Sequence, residues 1–255
     1  MTPSINVKPL NYSENGEGEV LCLLHGFLED KSIWNPFIHL LANKYRVIAI
    51  DLPGHGKSEL LHTENTMLDM ARAVHDTLKS LGVESVNFIG HSMGGYVALA
   101  YADLFPKNVW GIVLLNSTPE ADTEARKKLR KHGIKVARNN YEALISMSVV
   151  NLFTKNLREE VEDEIAKTKE VALTTSPDSY IACQNGMAAR KDYSAMFKQG
   201  MFRKQIILGS SDTLINADDL LEKFDSSSIH IDIVTGGHML HLENRQALEN
   251  IFLNF

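Results

Sequence analysis

The chain has 255 residues, with 26 Lys+Arg against 32 Asp+Glu for a formal charge of −6, and 44% of it is apolar. This is ordinary globular composition, long enough to bury a sizeable core without metals or disulfides. An acidic balance without a basic tail argues against nucleic-acid binding, because phosphate contacts need clustered Lys and Arg.

The opening residues 1–8 lack a charged stretch followed by an apolar one, so no signal peptide is expected, and no apolar run approaches the roughly 18 residues of a membrane span. Cys22 and Cys183 are too few for a disulfide framework and lack metal-ligand spacing, which points to a reducing, cytoplasmic compartment. Six runs rich in β-branched residues then read as strands: 20–24, 46–50, 86–89, 110–115, 205–208 and 229–234. The first five are nearly continuous in apolar content, as strands buried on both faces of a parallel sheet are, whereas the sixth alternates. Between the second and third, residues 65–81 place Met67, Met70, Val74, Leu78 and Leu81 three or four apart, with Gly82 where a helix would stop. Alternating strand and helix predicts an α/β fold with a mostly parallel twisted sheet.

The stretch between the fourth and fifth strands is too long for a loop. It reads as helices over 123–138, 141–153, 158–173 and 177–190, the last opening with Pro177 after Ser176 as cap. The expected organisation is a core of residues 1–117 and 205–255 with a helical cap, or lid, inserted at 118–204.

After the third strand comes Gly90-His91-Ser92-Met93-Gly94-Gly95, which is G-x-S-x-G between a strand and an apolar helix. The glycines let backbones approach, and the helix N-terminus favours negative charge developing near Ser92. A serine nucleophile needs a base, and the base needs an orienting carboxylate. Asp212 follows the fifth strand in Gly209-Ser210-Ser211-Asp212, and His238 follows the sixth in Gly236-Gly237-His238. Asn116 and Ser117, at the end of the fourth strand, cannot supply the acid. His241, between Leu240 and Leu242, suits a packed helix better than an exposed loop. The oxyanion of a tetrahedral intermediate needs two backbone donors; Met93, after the nucleophile, and Phe27, in the loop after the first strand, are the candidates. His91, Tyr96 and Trp34 are candidate pocket residues.

Together with Asp51-Leu52-Pro53-Gly54-His55-Gly56-Lys57-Ser58, the blocks His25-Gly26-Phe27, Gly90 to Gly95, Gly209 to Asp212 and Gly237-His238 resemble the α/β-hydrolase superfamily over nearly the whole chain. The resemblance implies a Ser92, His238 and Asp212 triad, Phe27 and Met93 as oxyanion donors, a helical lid after the sixth of the family's eight strands, and no cofactor. Only 19 residues precede the first run, so the antiparallel opening strands are expected to be shortened or one of them absent. Relatives that open epoxides or displace halide use aspartate where Ser92 stands.

Gly54 to Ser58 is no phosphate loop, because Asp51 stands where that motif requires glycine. His238 and His241 are three apart rather than four, so no metal is expected there. The basic run Arg126, Lys127, Lys128, Arg130, Lys131, Lys135, Arg138 reads as a solvated helix face, with Glu124 and Lys128 spaced for an ion pair. The resulting expectation is a serine hydrolase for a small-molecule ester, thioester or lactone. Two alternatives stand beside it: a carbon–carbon bond hydrolase or eliminating enzyme using the same triad, and a hydrolase-like ligand sensor with slow turnover. Oligomeric state is not legible in the sequence.

Overall fold

In the computed structural model, which describes residues 9–226 and 228–254, one sheet carries β1 (Tyr12–Asn15), β2 (Glu19–Leu24), β3 (Tyr45–Ile50), β4 (Val86–His91), β5 (Val109–Leu115), β6 (Arg203–Gly209) and β7 (His230–Val234). The strand order is β1-β3-β2-β4-β5-β6-β7. All pairs are parallel except β1 with β3, so the antiparallel opening is reduced to one four-residue strand among the described residues. The six apolar runs are β2 to β7, and β7 alternates because it lies at the edge, where Ile233 is exposed.

Side chains alternate across this sheet with the period of two that a strand imposes. Cys22, Leu24, Ile48, Ile50 and Phe88 pack on one face with α2 (Met67–Ser80) and α3 (Met93–Leu104). Leu21, Leu23, Val47, Ile89 and Val113 pack on the other with α1 (Asn35–Leu41) and α11 (Arg245–Phe252). α2 begins at the Thr66 cap, whose hydroxyl accepts the Asp69 amide, and Gly82 takes a positive φ just beyond its end.

The segment between β5 and β6 folds as α4 (Glu124–Ala137), α5 (Tyr141–Val150), α6 (Glu162–Thr174), α7 (Pro177–Ala188) and a short α8 (Ser194–Gln199). The first four match the expected helices, with α4, α5 and α7 ending short of the expected bounds and α6 starting four residues later and ending one residue later than expected; α8 is a helix that the periodicity does not reveal. Their apolar faces form a third cluster around Ile145, Val149, Phe153 and Tyr180, which reaches Leu28 and Met239 on the sheet side. α9 (Ala217–Phe224) precedes β7, and α10 (Leu240–Glu243) follows it. Among the described residues no helix is long and apolar enough to cross a membrane.

The parallel register aligns strand ends: Leu24 pairs with Gly90, His91 with Leu115, Leu115 with Ile207, and Gly209 with Val234. The chain leaves β2 for β3 on one side and returns to β4 on the other, which opens a crevice at the carboxyl edge, the usual ligand position in such sheets. The loops bearing Phe27, Ser92, Asn116, Asp212 and His238 all leave that edge.

Candidate active site

Ser92 joins β4 to α3 with φ 48° and ψ −111°, a conformation that L side chains rarely adopt and that costs on the order of 1–3 kcal/mol. Its surroundings hold it there: the Ser92 amide donates to the Leu115 carbonyl at 2.9 Å, and the Ser117 hydroxyl donates to the Ser92 carbonyl at 2.8 Å. Glycine is required on both sides, since a Cβ on Gly90 would stand 2.5 Å from the Gly94 carbonyl carbon and one on Gly94 would fall on the Leu24 carbonyl.

His238 lies with Nε2 2.9 Å from Ser92 Oγ and Nδ1 2.8 Å from Asp212 Oδ2. A carboxylate only accepts, so Nδ1 carries the proton and Nε2 is left to accept from the serine hydroxyl. Asp212 also receives the Asn116 side-chain amide at 2.8 Å and the Leu214 and Ile215 backbone amides at 2.7 and 3.2 Å. Burial would raise this carboxyl, but His238, Asn116 and Leu214 outweigh it and hold the pKa below the usual value. Asn116 is set by a positive φ of 45° and donates as well to the Gly237 carbonyl at 3.1 Å, tying the acid to the histidine loop. Sequence reasoning sets Asn116 aside as no acid; its role as an anchor becomes visible only in three dimensions.

Met93 opens α3, so its N–H is one of the amides that a helix leaves without an intrahelical acceptor. Phe27 follows β2 in a loop held by His25, whose Nδ1–H donates to the Gly26 carbonyl at 2.7 Å and whose Nε2 accepts the Leu52 amide at 2.9 Å. Burial lowers the His25 pKa, in keeping with this neutral tautomer.

A second buried network that the sequence does not announce runs beneath these groups. Glu29 Oε2 accepts the Gly26 amide at 2.6 Å and His91 Nδ1–H at 2.8 Å, and His91 Nε2–H donates to the His238 carbonyl at 3.0 Å. Both ring nitrogens of His91 face acceptors, so both are donors and the ring is an imidazolium. Burial disfavours that charge, yet the Glu29 carboxylate overrides it and raises the His91 pKa. Glu29 in turn is held well below its usual value: burial opposes this, and His91 and His241 outweigh it. His241 lies fully buried on α10, its Nε2 3.3 Å from Glu29 Oε1, with burial lowering its pKa. One carboxylate thus joins the Phe27 loop, the residue before Ser92 and the backbone of His238.

Ser92 and His238 open into a cavity of about 530 Å³ between the sheet edge and the inserted helices. Phe27, His91, Tyr96, Tyr180, Gln184 and Met239 contribute to its lining. The structure corrects the placement of Trp34: its indole is fully buried on the other face of the sheet, 6.4 Å from the Phe37 ring, because the turn at Lys31–Trp34 carries it into that core. The basic run is also not wholly a solvated face, since Arg126 and Arg130 line the cavity; Glu124 pairs with Lys127 at 2.9 Å, one residue short of the expected Lys128. His238 and His241 point to different partners, Ser92 and Asp212 for one and Glu29 for the other.

A family model described as the alpha/beta hydrolase fold matches residues 19–245. The chain belongs to this family. Among curated relatives it is 25% identical to 3-oxoadipate enol-lactonase 1 of Acinetobacter baylyi over 89% of this chain and 84% of that one. It is 32% identical to (E)-2-((N-methylformamido)methylene)succinate hydrolase of the same organism, over 48% of this chain and 46% of that one. The matched segments span only 30–46% of the length of the first curated relatives. Among solved structures, a thermophilic esterase from Thermogutta terrifontis superposes with a TM-score of 0.90 at 23% identity, covering 96% of this chain and 92% of that one, which establishes the shared fold.

Proposed function

We propose that the protein is a serine hydrolase that cleaves a small-molecule ester, thioester or lactone through an acyl-enzyme on Ser92. The observation that carries this reading is the 2.9 Å contact between His238 Nε2 and the hydroxyl of a backbone-strained serine that opens into a cavity. Ser92 Oγ attacks the acyl carbon while its proton passes to His238 Nε2, and Asp212 stabilises the imidazolium that forms. The carbonyl oxygen becomes an oxyanion that accepts the Phe27 and Met93 amides, each worth on the order of 3 kcal/mol in the transition state. Collapse breaks the bond to the leaving group, which departs with the proton from His238. Water, deprotonated by His238, then attacks the acyl-enzyme, frees the acid and returns the proton to Ser92. Residues 118–204 act as a lid in this scheme, shielding the intermediate from bulk water.

Intact mass after exposure to a fluorophosphonate tests the reading. A single adduct on the wild type, lost in Ser92→Ala and His238→Ala, is expected, together with a fall in kcat on the order of 10⁴-fold in Ser92→Ala at unchanged fold. No adduct on folded wild type overturns it. A carbon–carbon hydrolase reading draws support from a relative of that kind, the 2-hydroxy-6-oxononadienedioate/2-hydroxy-6-oxononatrienedioate hydrolase of Paraburkholderia phymatum, 38% identical over 42% of this chain and 39% of that one. Turnover of β-diketones but not esters would move it ahead.

A further inference from the structure

We infer that the substrate carries a carboxylate besides its scissile acyl bond, and that Arg126, supported by Arg130, binds it on the α4 wall of the cavity. The inference rests on the hydrolase reading and adds a substrate class to it. Arg126 and Arg130 are four residues apart on α4, so they share a face, and both line the cavity that holds Ser92 and His238.

The charge around them does not balance. Asp122, wholly buried, accepts Arg130 Nε at 2.5 Å and Arg190 Nη1 at 2.5 Å, and Arg126 Nε lies 3.9 Å away. Asp122 therefore faces three guanidiniums, and Asp192 offsets part of the charge of Arg190, which leaves an excess of one positive charge beside a partly enclosed space. Other acids near the cavity or beside α4 are engaged elsewhere: Glu29 with His91, Asp212 with His238, Glu120 with Lys223, and Glu124 with Lys127. Lys223 and Lys127 are exposed, so they neither add to nor relieve the excess at the wall.

The donors are unequally used. Arg190 is buried, with its guanidinium 3.9 Å from the centre of the Tyr96 ring. Arg130 also gives Nη1 to Gln184 Oε1 at 2.9 Å. Arg126 gives only Nη1, to the Leu214 carbonyl at 2.5 Å; its Nε and Nη2 have no hydrogen-bond partner among the described residues. A guanidinium edge held at one end, partly screened from water and backed by surplus positive charge, fits the two oxygens of a carboxylate, which it can bind through two parallel hydrogen bonds. Leu214 lies two residues past Asp212, so this contact fixes the anion-binding edge relative to the acid of the site.

The test compares monomethyl esters of straight-chain dicarboxylic acids, from succinic to suberic, with methyl esters of monocarboxylic acids of equal length, by pH-stat titration. Wild type is expected to favour the best charged ester over its neutral match by about tenfold or more in kcat/KM, the range of a hydrogen-bonded charge pair. Arg126→Gln should cut that ratio by a similar factor, Arg126→Lys should restore part of it, and added salt should raise KM for the charged ester more than for the neutral one. A ratio near one in the wild type, or one unmoved in Arg126→Gln, overturns the inference while fluorophosphonate labelling still stands for the hydrolase. If labelling fails instead, calorimetry of glutarate binding to Ser92→Ala and to Ser92→Ala/Arg126→Gln decides. Binding that weakens about tenfold or more in the double variant supports the carboxylate site; equal binding, or none to either, overturns it.

Discussion

α2 and α4 have the same length, 14 residues, and the same kind of start, a threonine whose hydroxyl accepts the amide three residues on. Their buried faces differ. α2 buries Met67, Met70, Ala71, Ala73, Val74, Thr77 and Leu78 against the sheet, while α4 buries only Ala137 and leaves Leu129 70% exposed. Apolar burial is worth about 25 cal/mol per Å², so α2 is fixed by its core face, and α4 depends on the Asp122 ion pairs and on its neighbours α5 and α7. The same contrast divides the cavity. Its floor is made of buried loops joined through Glu29, Asn116 and Asp212; its roof is a layer of helices with one small apolar cluster. A floor of this kind holds the geometry that the proposed hydrolase reading requires, and under that reading the thinner apolar packing of the roof would let it open at lower cost.

The floor breaks most severely at Glu29. Glu29→Ala leaves the His91 imidazolium without its carboxylate and the Gly26 amide without its acceptor, so about 3–5 kcal/mol of stability should be lost. kcat should fall on the order of 10²-fold or more as the Phe27 amide and His238 lose their supports. Glu29→Gln, which can still accept the Gly26 amide, should recover much of kcat, and it separates positioning from folding. The pH dependence has a defined sign. The raised His91 pKa gives stability that is complete below pH 6.5 and fades as pH climbs through the folded value; the lowered Glu29 pKa gives stability present above pH 4.5 that fades as pH falls through its folded value. The wild-type advantage over Glu29→Gln in thermal melts should therefore be greatest between pH 4.5 and 6.5 and shrink on the alkaline side; a flat difference would contradict the charged pair.

Legibility in the sequence divides along the same line. Strands β2 to β6 are legible because burial on both faces makes them continuous apolar runs, while β1, Tyr-Ser-Glu-Asn at a half-exposed edge, carries no such signal. Ser92, Asp212 and His238 each follow a strand, and it is the parallel register that brings those strand ends to one edge. The supports are invisible to local pattern. Glu29 meets His91 across 62 positions and Asn116 meets Asp212 across 96, and no periodicity encodes contacts between loops. Trp34 is misplaced for a related reason: its position in the chain does not say which face of the sheet its ring enters.

The roof should give way next at Asp122. Asp122→Asn keeps the shape but removes the one carboxylate that three guanidiniums share, and about 2–3 kcal/mol should be lost, less than at Glu29 because the roof can relax. Hydrogen exchange should report this as faster opening of α4, with α2 unchanged; equal acceleration in both helices would mean that floor and roof unfold as one unit.

The smallest effect belongs to Leu129. Its side chain lines the cavity yet is largely exposed, so Leu129→Ser removes little buried area and should shift stability by no more than about 0.5 kcal/mol. If the roof contributes mainly to substrate contact, the variant should raise KM for longer acyl chains while kcat for the shortest ones stays near the wild-type value. A fall in kcat for every chain length would instead tie the α4 face to the chemistry below it, and the distinction between a floor that reacts and a roof that selects would fail at that point.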